Sequence, residues 1–325
     1  MLARHLLSVP EPYAGARRAV VRNLLRLLLI TPKALAGRRK AVGQTFFPFY
    51  RWDYELVRDG AFVAHPTLPE EPEKIPLITI ITRTYQGRSL YLRQALLSVA
   101  HQTYPNIEHI VVEDGGNSLQ TTVEEIGCLT GRPALYISNE KLGRSSAGNV
   151  GLAQAKGRWC LFLDDDDLLF ADHLELLAGT LLEDSDAVAA YSLAWEVQTD
   201  SSDIADGKYS EEEYKVPPVL KEEYNYTVLE HHNLMAIQSV LFERRLFEER
   251  GGFDADLDAL EDWVLWLCYG YGNRFVYVPK VTSMYRTPSG QTVRKERQEV
   301  LDVAYTTAKE RVHSRMKSLG LLLEE

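Results

Sequence analysis

Two short runs constrain this chain most: Leu77–Thr82 (LITIIT) and Trp159–Leu163 (WCLFL). Each is continuously apolar or β-branched and stops abruptly at polar residues, the pattern of a strand buried on both faces. Between them the pattern repeats. Ser89 is placed to cap a helix whose Leu92, Ala95, Leu96 and Val99 share one face. Ile107–Glu113 reads as the next strand, followed by a turn at Asp114-Gly115-Gly116. A helix near Thr121–Leu129, a short strand Ala134–Ile137 and a helix over Ser145–Ala155, stopped by Gly157, complete the series. Strand and helix alternating through short connections predict an α/β fold with a mainly parallel sheet and helices on both faces. Such sheets bind ligands outside the carboxyl ends of their strands. The loops that matter are therefore 83–88, 114–118, 138–144 and 164–168.

With 325 residues, 45% of them hydrophobic and 25% charged, the chain is long enough for one such domain plus flanking segments. Cys128, Cys160 and Cys268 are far apart and form no C-x-x-C pair, which argues against a disulfide scaffold or zinc knuckle and suits a reducing compartment. The net charge of −10 conceals an asymmetry: residues 1–45 carry +8 and the remainder −18. A basic arm thus precedes an acidic body, and an acidic body is unsuited to coating nucleic acid. Leu24–Ile30, interrupted by Arg26, is too short to span a bilayer, and no cleavable leader is expected. If Arg17–Ile30 is helical, Arg18, Arg22 and Arg26 form a basic stripe roughly opposite Val20, Leu24 and Leu27. Two readings stand: a peripheral contact with an anionic membrane surface, or a helix docked on the body or a partner subunit. Aromatic residues 46–52 (Phe46, Phe47, Phe49, Tyr50, Trp52) are expected to pack on the main domain, and the Pro/Glu-rich stretch His65–Pro76 reads as a linker into it.

The chemistry gathers at the strand ends. Asp164-Asp165-Asp166-Asp167 follows WCLFL directly, and four adjacent carboxylates there repel one another unless a cation is present. A hard divalent ion shared with a diphosphate resolves the conflict; the alternative is a solvated acidic turn. Glu113 and Asp114 end the second strand, where a carboxylate can accept from a base N–H or a ribose hydroxyl, or simply build the turn. Asn139, Gly143, Arg144 and Asn149 surround the third strand end, and Arg144 near a helix N-terminus can face phosphate. Further on, Gly251-Gly252-Phe253-Asp254 precedes Glu261-Asp262 and the apolar run Trp263–Leu267. Asp262 fits helix capping and general-base duty equally well. No G-x-G-x-x-G, G-x-x-x-x-G-K-[ST] or G-x-S-x-G occurs, which removes the main support for dinucleotide, P-loop and hydrolase readings.

Taken together, PLITIITRTY, LRQALLSVAHQTYPNIEHIVVEDGG, NEKLGRSSAGNVGLAQAKGRW, LFLDDDDLLFADHLELL, GGFD, LEDWVLWL and VYVPKVTSMYR resemble the inverting family-two glycosyltransferases of the GT-A fold. The resemblance implies a Rossmann-like GT-A domain over 76–286, with a nucleotide-sugar-binding half (76–200) and an acceptor half (201–286). It leaves a basic arm and linker (1–75) and a C-terminal helical tail (287–325). It places Thr82, Thr84, Tyr85, Glu113, Asp114, Arg144, Asp164 and Asp165 around a nucleotide sugar. Asp164 and Asp166 become the two acids of a D-x-D motif that holds Mg²⁺ or Mn²⁺, and Asp262 becomes the catalytic base. Two departures adjoin the pocket: the usual P-T-Y-N reads Thr82-Arg83-Thr84-Tyr85-Gln86, and D-D-G-S reads Glu113-Asp114-Gly115-Gly116. The implied reaction moves a sugar from a nucleotide-diphosphate sugar to a saccharide or lipid-linked saccharide, in the cytoplasm or on the cytoplasmic membrane face. A non-catalytic nucleotide-sugar-binding scaffold and a nucleotidyltransferase are the competing readings.

Ser201–Tyr224, rich in acids and Tyr, reads as either a mobile acceptor loop or a solvated insertion, and His231-His232-Asn233 adjoins the acceptor side. Val300, Ala304, Ala308, Val312 and Met316, spaced by four, predict a C-terminal helix that docks on the body or mediates self-association.

Overall fold

The unbroken apolar run after Pro76 forms a strand, β1 (Ile78–Thr84), buried at every position. The computed structural model to which it belongs describes residues 68–322 except 205, 206 and 258. The basic arm, the expected helix over 17–30 and the aromatic residues 46–52 lie outside the described residues. After β1 come α1 (Ser89–Ala100), β2 (Ile107–Asp114), α2 (Gln120–Thr130), β3 (Leu135–Asn139), α3 (Arg144–Gln154) and β4 (Trp159–Asp164). These match the alternation read from the sequence, with no end shifted by more than two residues. Ser89 is the exception: it is the first helical residue rather than the cap, and its hydroxyl bonds Thr122 across α1 and α2 at 2.9 Å.

β1 pairs in parallel with β2 on one side and β4 on the other, and β3 extends the sheet beyond β2. The chain thus runs outward from β1, then returns to its other flank, leaving a crevice above the carboxyl ends of β1 and β4. Helices cover both faces because β2 alternates: Val111 packs with Leu92, Leu96 and Val123 of α1 and α2, while Ile110 and Val112 pack with Ala147 of α3.

The second half continues the same sheet. β5 (Leu168–Leu169), α4 (His173–Glu183), β6 (Ala187–Asp200), β7 (Ser210–Lys215), α5 (Tyr226–Leu229), β8 (Val240–Glu243), α6 (Arg245–Arg250), α7 (Glu261–Gly270), β9 (Arg274–Pro288) and α8 (Gln291–Ser318) follow. The described strands order as β3-β2-β1-β4-β8-β6-β9-β5, with β7 on β6. β6 and β9 run parallel, whereas β8, β7 and β5 are antiparallel to their neighbours. The acidic segment 201–224 is therefore partly sheet: β7 pairs with β6, Glu211 is buried against Arg286, and Leu220 is buried. Its charges disguised a packed element, because the buried acid is matched by a cation far away in sequence.

α7 carries Trp263, Trp266 and Tyr269 into the largest core cluster with Phe162 and Phe242. α8 packs on α7 through Ala308, Val312 and Met316, as its spacing predicts. Its earlier positions do not follow: Val300 is 56% exposed.

Candidate active site

Register brings the first pair together. Arg83 lies opposite Asp164 in the β1–β4 ladder, and facing residues of paired strands project to the same side. The guanidinium grips the carboxylate with two bonds, Nε to Oδ1 at 2.7 Å and Nη2 to Oδ2 at 2.9 Å, the fork geometry that suits Arg. Burial raises the Asp164 carboxyl, but Arg83 outweighs it and holds the group below the usual carboxylate range. The next acid is matched likewise. Thr84 Oγ1 donates to Asp165 Oδ2 at 2.7 Å, and Arg88 donates to Asp165 Oδ1 at 2.8 Å while pairing with Asp166. Burial, with Asp166 adjoining, still pushes Asp165 up to about 7. The buried Asp167 is raised further by burial and by Asp166 and Asp164. Arg286, itself buried, donates to the Asp166 carbonyl and to Glu211, Gln94 and the Tyr209 hydroxyl.

The repulsion inferred from four adjacent acids is thus met in part by the chain's own Arg83 and Arg88, which pair with Asp164, Asp165 and Asp166, while Arg286 holds the Asp166 carbonyl. Sequence reasoning missed all three as partners of the acids, although Arg83 at a strand end beside WCLFLD was a usable signal. Among the described residues no group of three or more His, Cys, Asp or Glu is arranged to hold a metal by itself. The donor set still suits a hard cation completed by phosphate. Asp166 keeps a side chain 34% exposed at the crevice and Asp164 one 25% exposed beside it, and Mg²⁺ typically takes only one or two carboxylates with substrate phosphates.

The β2 end divides its two acids, because neighbouring strand residues face opposite ways. Glu113 is fully buried and accepts from Ser118 N, Ser118 Oγ, Leu119 N and the Tyr136 hydroxyl. Its carboxylate builds the turn beneath the crevice. Asp114, half-buried, accepts from the backbone N–H groups of Leu142 and Gly143 at 2.8 and 3.1 Å, fixing the loop that opens α3. Thr82 is also buried, bonded to His109 Nε2 at 2.9 Å beneath the strand end. Tyr85, in contrast, stands 51% exposed at the rim, with the Arg88 guanidinium 5.2 Å from its ring centroid.

The far wall is the start of α7. Leu260, the residue before it, has φ +62°, the one positive φ outside glycine among the described residues. No side chain caps this helix, so Asp262 is not a cap; it is the second helical residue. Its Oδ1 accepts from Trp263 N at 2.8 Å and its Oδ2 from Asn233 Nδ2 at 3.0 Å. Burial, then the neighbouring Glu261, push its carboxyl up to about 7 despite those donors and Arg83. Asn233 is a positioning contact that the sequence suggested only by location. Glu261 is buried and accepts from Arg83 Nη1 at 3.3 Å, with Arg144 Nη1 at 3.6 Å. Arg144 opens α3 and keeps a side chain 60% exposed. Strand ends β1 and β4, the start of α3 and the start of α7 therefore meet around one set of charges.

The sequence pattern described as Glycosyl transferase family 2 matches residues 79–248, half the chain and the strands that build this crevice. The chain belongs to glycosyl transferase family 2. Relatives include a Streptococcus pneumoniae protein named Glycosyltransferase GlyA, 26% identical over 76% of this chain and 36% of that protein. An uncharacterized glycosyltransferase of Rickettsia prowazekii is 29% identical over 67% of this chain and 66% of its own. The family-2 chain therefore spans about a third and just under two thirds of these relatives. In solved structures its fold, the GT-A fold, recurs in Staphylococcus aureus TarS 1-349 with UDP-GlcNAc (TM-score 0.53, 17% identity, 74% of this chain and 73% of that one). It recurs also in the Pyrobaculum calidifontis mannosyltransferase PcManGT with GDP-Man and Mn²⁺ (TM-score 0.53, 17% identity, 88% and 86%).

Proposed function

We propose that this chain transfers a sugar from a nucleotide-diphosphate sugar to a hydroxyl of a saccharide or lipid-linked saccharide, with inversion and with Asp262 as general base. One observation carries the reading. A carboxyl with an upward-shifted proton affinity sits at the start of α7, and its neighbour Glu261 is linked through Arg83 to Asp164 at the end of β4. A base must be oriented and must have a pKa near the working pH; the Trp263 N–H and the Asn233 amide orient this one.

In the reaction Asp262 takes the proton of the acceptor hydroxyl as its oxygen bonds the anomeric carbon. The bond from that carbon to the diphosphate breaks on the opposite side, and the nucleoside diphosphate leaves. Arg144, exposed at the start of α3, faces the departing charge. Asp166, with Asp164 beside it, would hold Mg²⁺ or Mn²⁺, which when bound neutralises charge on the diphosphate. Tyr85 and Asp114 flank the nucleotide, while Thr84, Asp165, Glu113 and Thr82 shape its floor. On this reading residues 76–200 take the donor and 201–286 the acceptor, and the basic residues 1–45 bring the protein to an anionic cytoplasmic membrane face. Among the described residues no helix is long and apolar enough to cross a membrane. The nucleotide sugars bound by TarS and PcManGT support the donor class.

The test is Asp262→Asn in the full chain. Turnover should fall about 10²- to 10⁴-fold, the usual weight of general-base catalysis. Calorimetric titration with UDP-, GDP- and dTDP-sugars, with and without Mg²⁺ or Mn²⁺, should show unchanged binding of the preferred donor. Turnover that survives the substitution removes Asp262 from the base role.

A further inference from the structure

Arg83 does not reach solvent. Its side chain is 3% exposed, and its guanidinium rests against the adjoining rings of Phe162 and Phe253, at 5.8 and 5.2 Å from their centroids. Gly148 of α3 makes the space: a Cβ there would stand 2.5 Å from Phe253 and 3.4 Å from Arg83 Cδ. Phe253 is locked in turn by Asn149, whose amide accepts from Phe253 N at 2.7 Å and donates to its carbonyl at 3.0 Å. The guanidinium therefore occupies a built slot from which it reaches two carboxylates on different elements: Asp164 at the end of β4 and Glu261 at the start of α7. Beside the packing of Trp263 in the core, the Arg83–Glu261 ion pair ties the first turn of α7 to β1. The next residue is Asp262.

We propose that Arg83 is a positioning residue that fixes Asp262 relative to the acidic turn after β4, acting through Glu261. The inference rests on the reading of Asp262 as the base. Acceptor activation and departure of the diphosphate occur on opposite sides of one carbon, so their two protein frames must keep a constant separation; displacement by about 1 Å can cost roughly 10²-fold in rate. A planar guanidinium can hold both frames at once. An ammonium, a single point of charge, cannot reproduce the two-bond grip on Asp164 while also reaching Glu261.

The experiment compares Arg83→Lys, Glu261→Gln and the double variant with wild type and Asp262→Asn. It measures thermal midpoint, kcat, and KM for donor and acceptor, using the donor that binds best in calorimetry. Each single variant should lower kcat about 10- to 100-fold with the donor KM changed by less than about threefold. The double variant should be no slower than the slower single one, because both break one link. A merely structural Arg83 would lower the melting temperature and leave kcat of the folded fraction unchanged. If Arg83→Lys does not fold, Glu261→Gln decides alone, since it leaves the Arg83–Asp164 pair intact. Wild-type kcat in the single variants, or losses that multiply in the double, overturn the link while an inactive Asp262→Asn leaves the base in place. An active Asp262→Asn overturns the base reading itself.

Discussion

Two buried ion pairs in this molecule serve opposite ends. Lys280 and Asp172 meet at 2.9 Å with side chains 2% and 0% exposed, sealed from solvent. Arg83 and Asp164 meet at 2.7 Å, but the aspartate is 25% exposed and the guanidinium also serves Glu261. Taking two charges out of water costs several kcal/mol each, so a sealed pair gives little net stability yet is expensive to break. The open pair keeps one member in contact with the crevice, where a ligand can use it. The sealed pair holds β9 to the start of α4; the open one holds two walls of a site.

That contrast is broken or kept by substitution. Lys280→Met strands a buried carboxylate and should lower the unfolding free energy by about 3–5 kcal/mol in urea melts, with most of it regained in Lys280→Met/Asp172→Leu. Asp164→Asn should cost clearly less stability, because Arg83 keeps Glu261, but should weaken donor binding. Equal stability losses in the two would show that the open pair is as sealed as the other.

Asp262 sharpens the comparison as a half-buried acid whose hydrogen-bond donors are neutral groups. Its folded pKa of about 7 lies above the ordinary 3.8, so the folded state binds the extra proton between those values. Stability from this group is fully present below about pH 4 and is lost as pH rises through 7. Asp262→Asn should therefore melt above wild type at pH 8 and alongside it at pH 4, whatever happens to turnover. A difference that is the same at both pH values would place the gain elsewhere than in the ionised carboxylate.

Much of the alternating first half, from β1 to β4, could be read from the sequence because its signals are local. Buried parallel strands leave unbroken apolar runs, amphipathic helices leave spacings of three and four, and carboxyl ends locate the crevice. Thr84, Tyr85, Asp164, Asp166 and Asp262 all fall at or beside those ends. What escaped was pairing over distance: Arg83 meets Asp164 81 positions on and Glu261 178 positions on. Repulsion among the four acids is relieved in part from within the chain, by Arg83 and Arg88, two arginines that the acidic run does not announce. Glu113 was a different miss. Period-two alternation already says that Glu113 and Asp114 cannot both face the crevice, and the buried one builds the turn. In the second half, the β7 segment hid because charge and Tyr content mask a strand whose acid is neutralised from β9.

The smallest expected effect completes the series. Arg93 of α1 and Glu125 of α2 meet at 2.8 Å with side chains 41% and 59% exposed. The distance is like those in the two buried pairs, and the chief difference is solvation. Water screens such a pair and ordering the two side chains opposes it, so Arg93→Met should change stability by no more than about 1 kcal/mol. The difference should vanish in 1 M salt, where the screening length is about 3 Å, whereas the loss in Lys280→Met should persist because no ions enter that site. If salt erased both, burial would not be what separates the pairs, and the distinction between a pair that seals the fold and one that serves the crevice would have to rest on exposure to ligand alone.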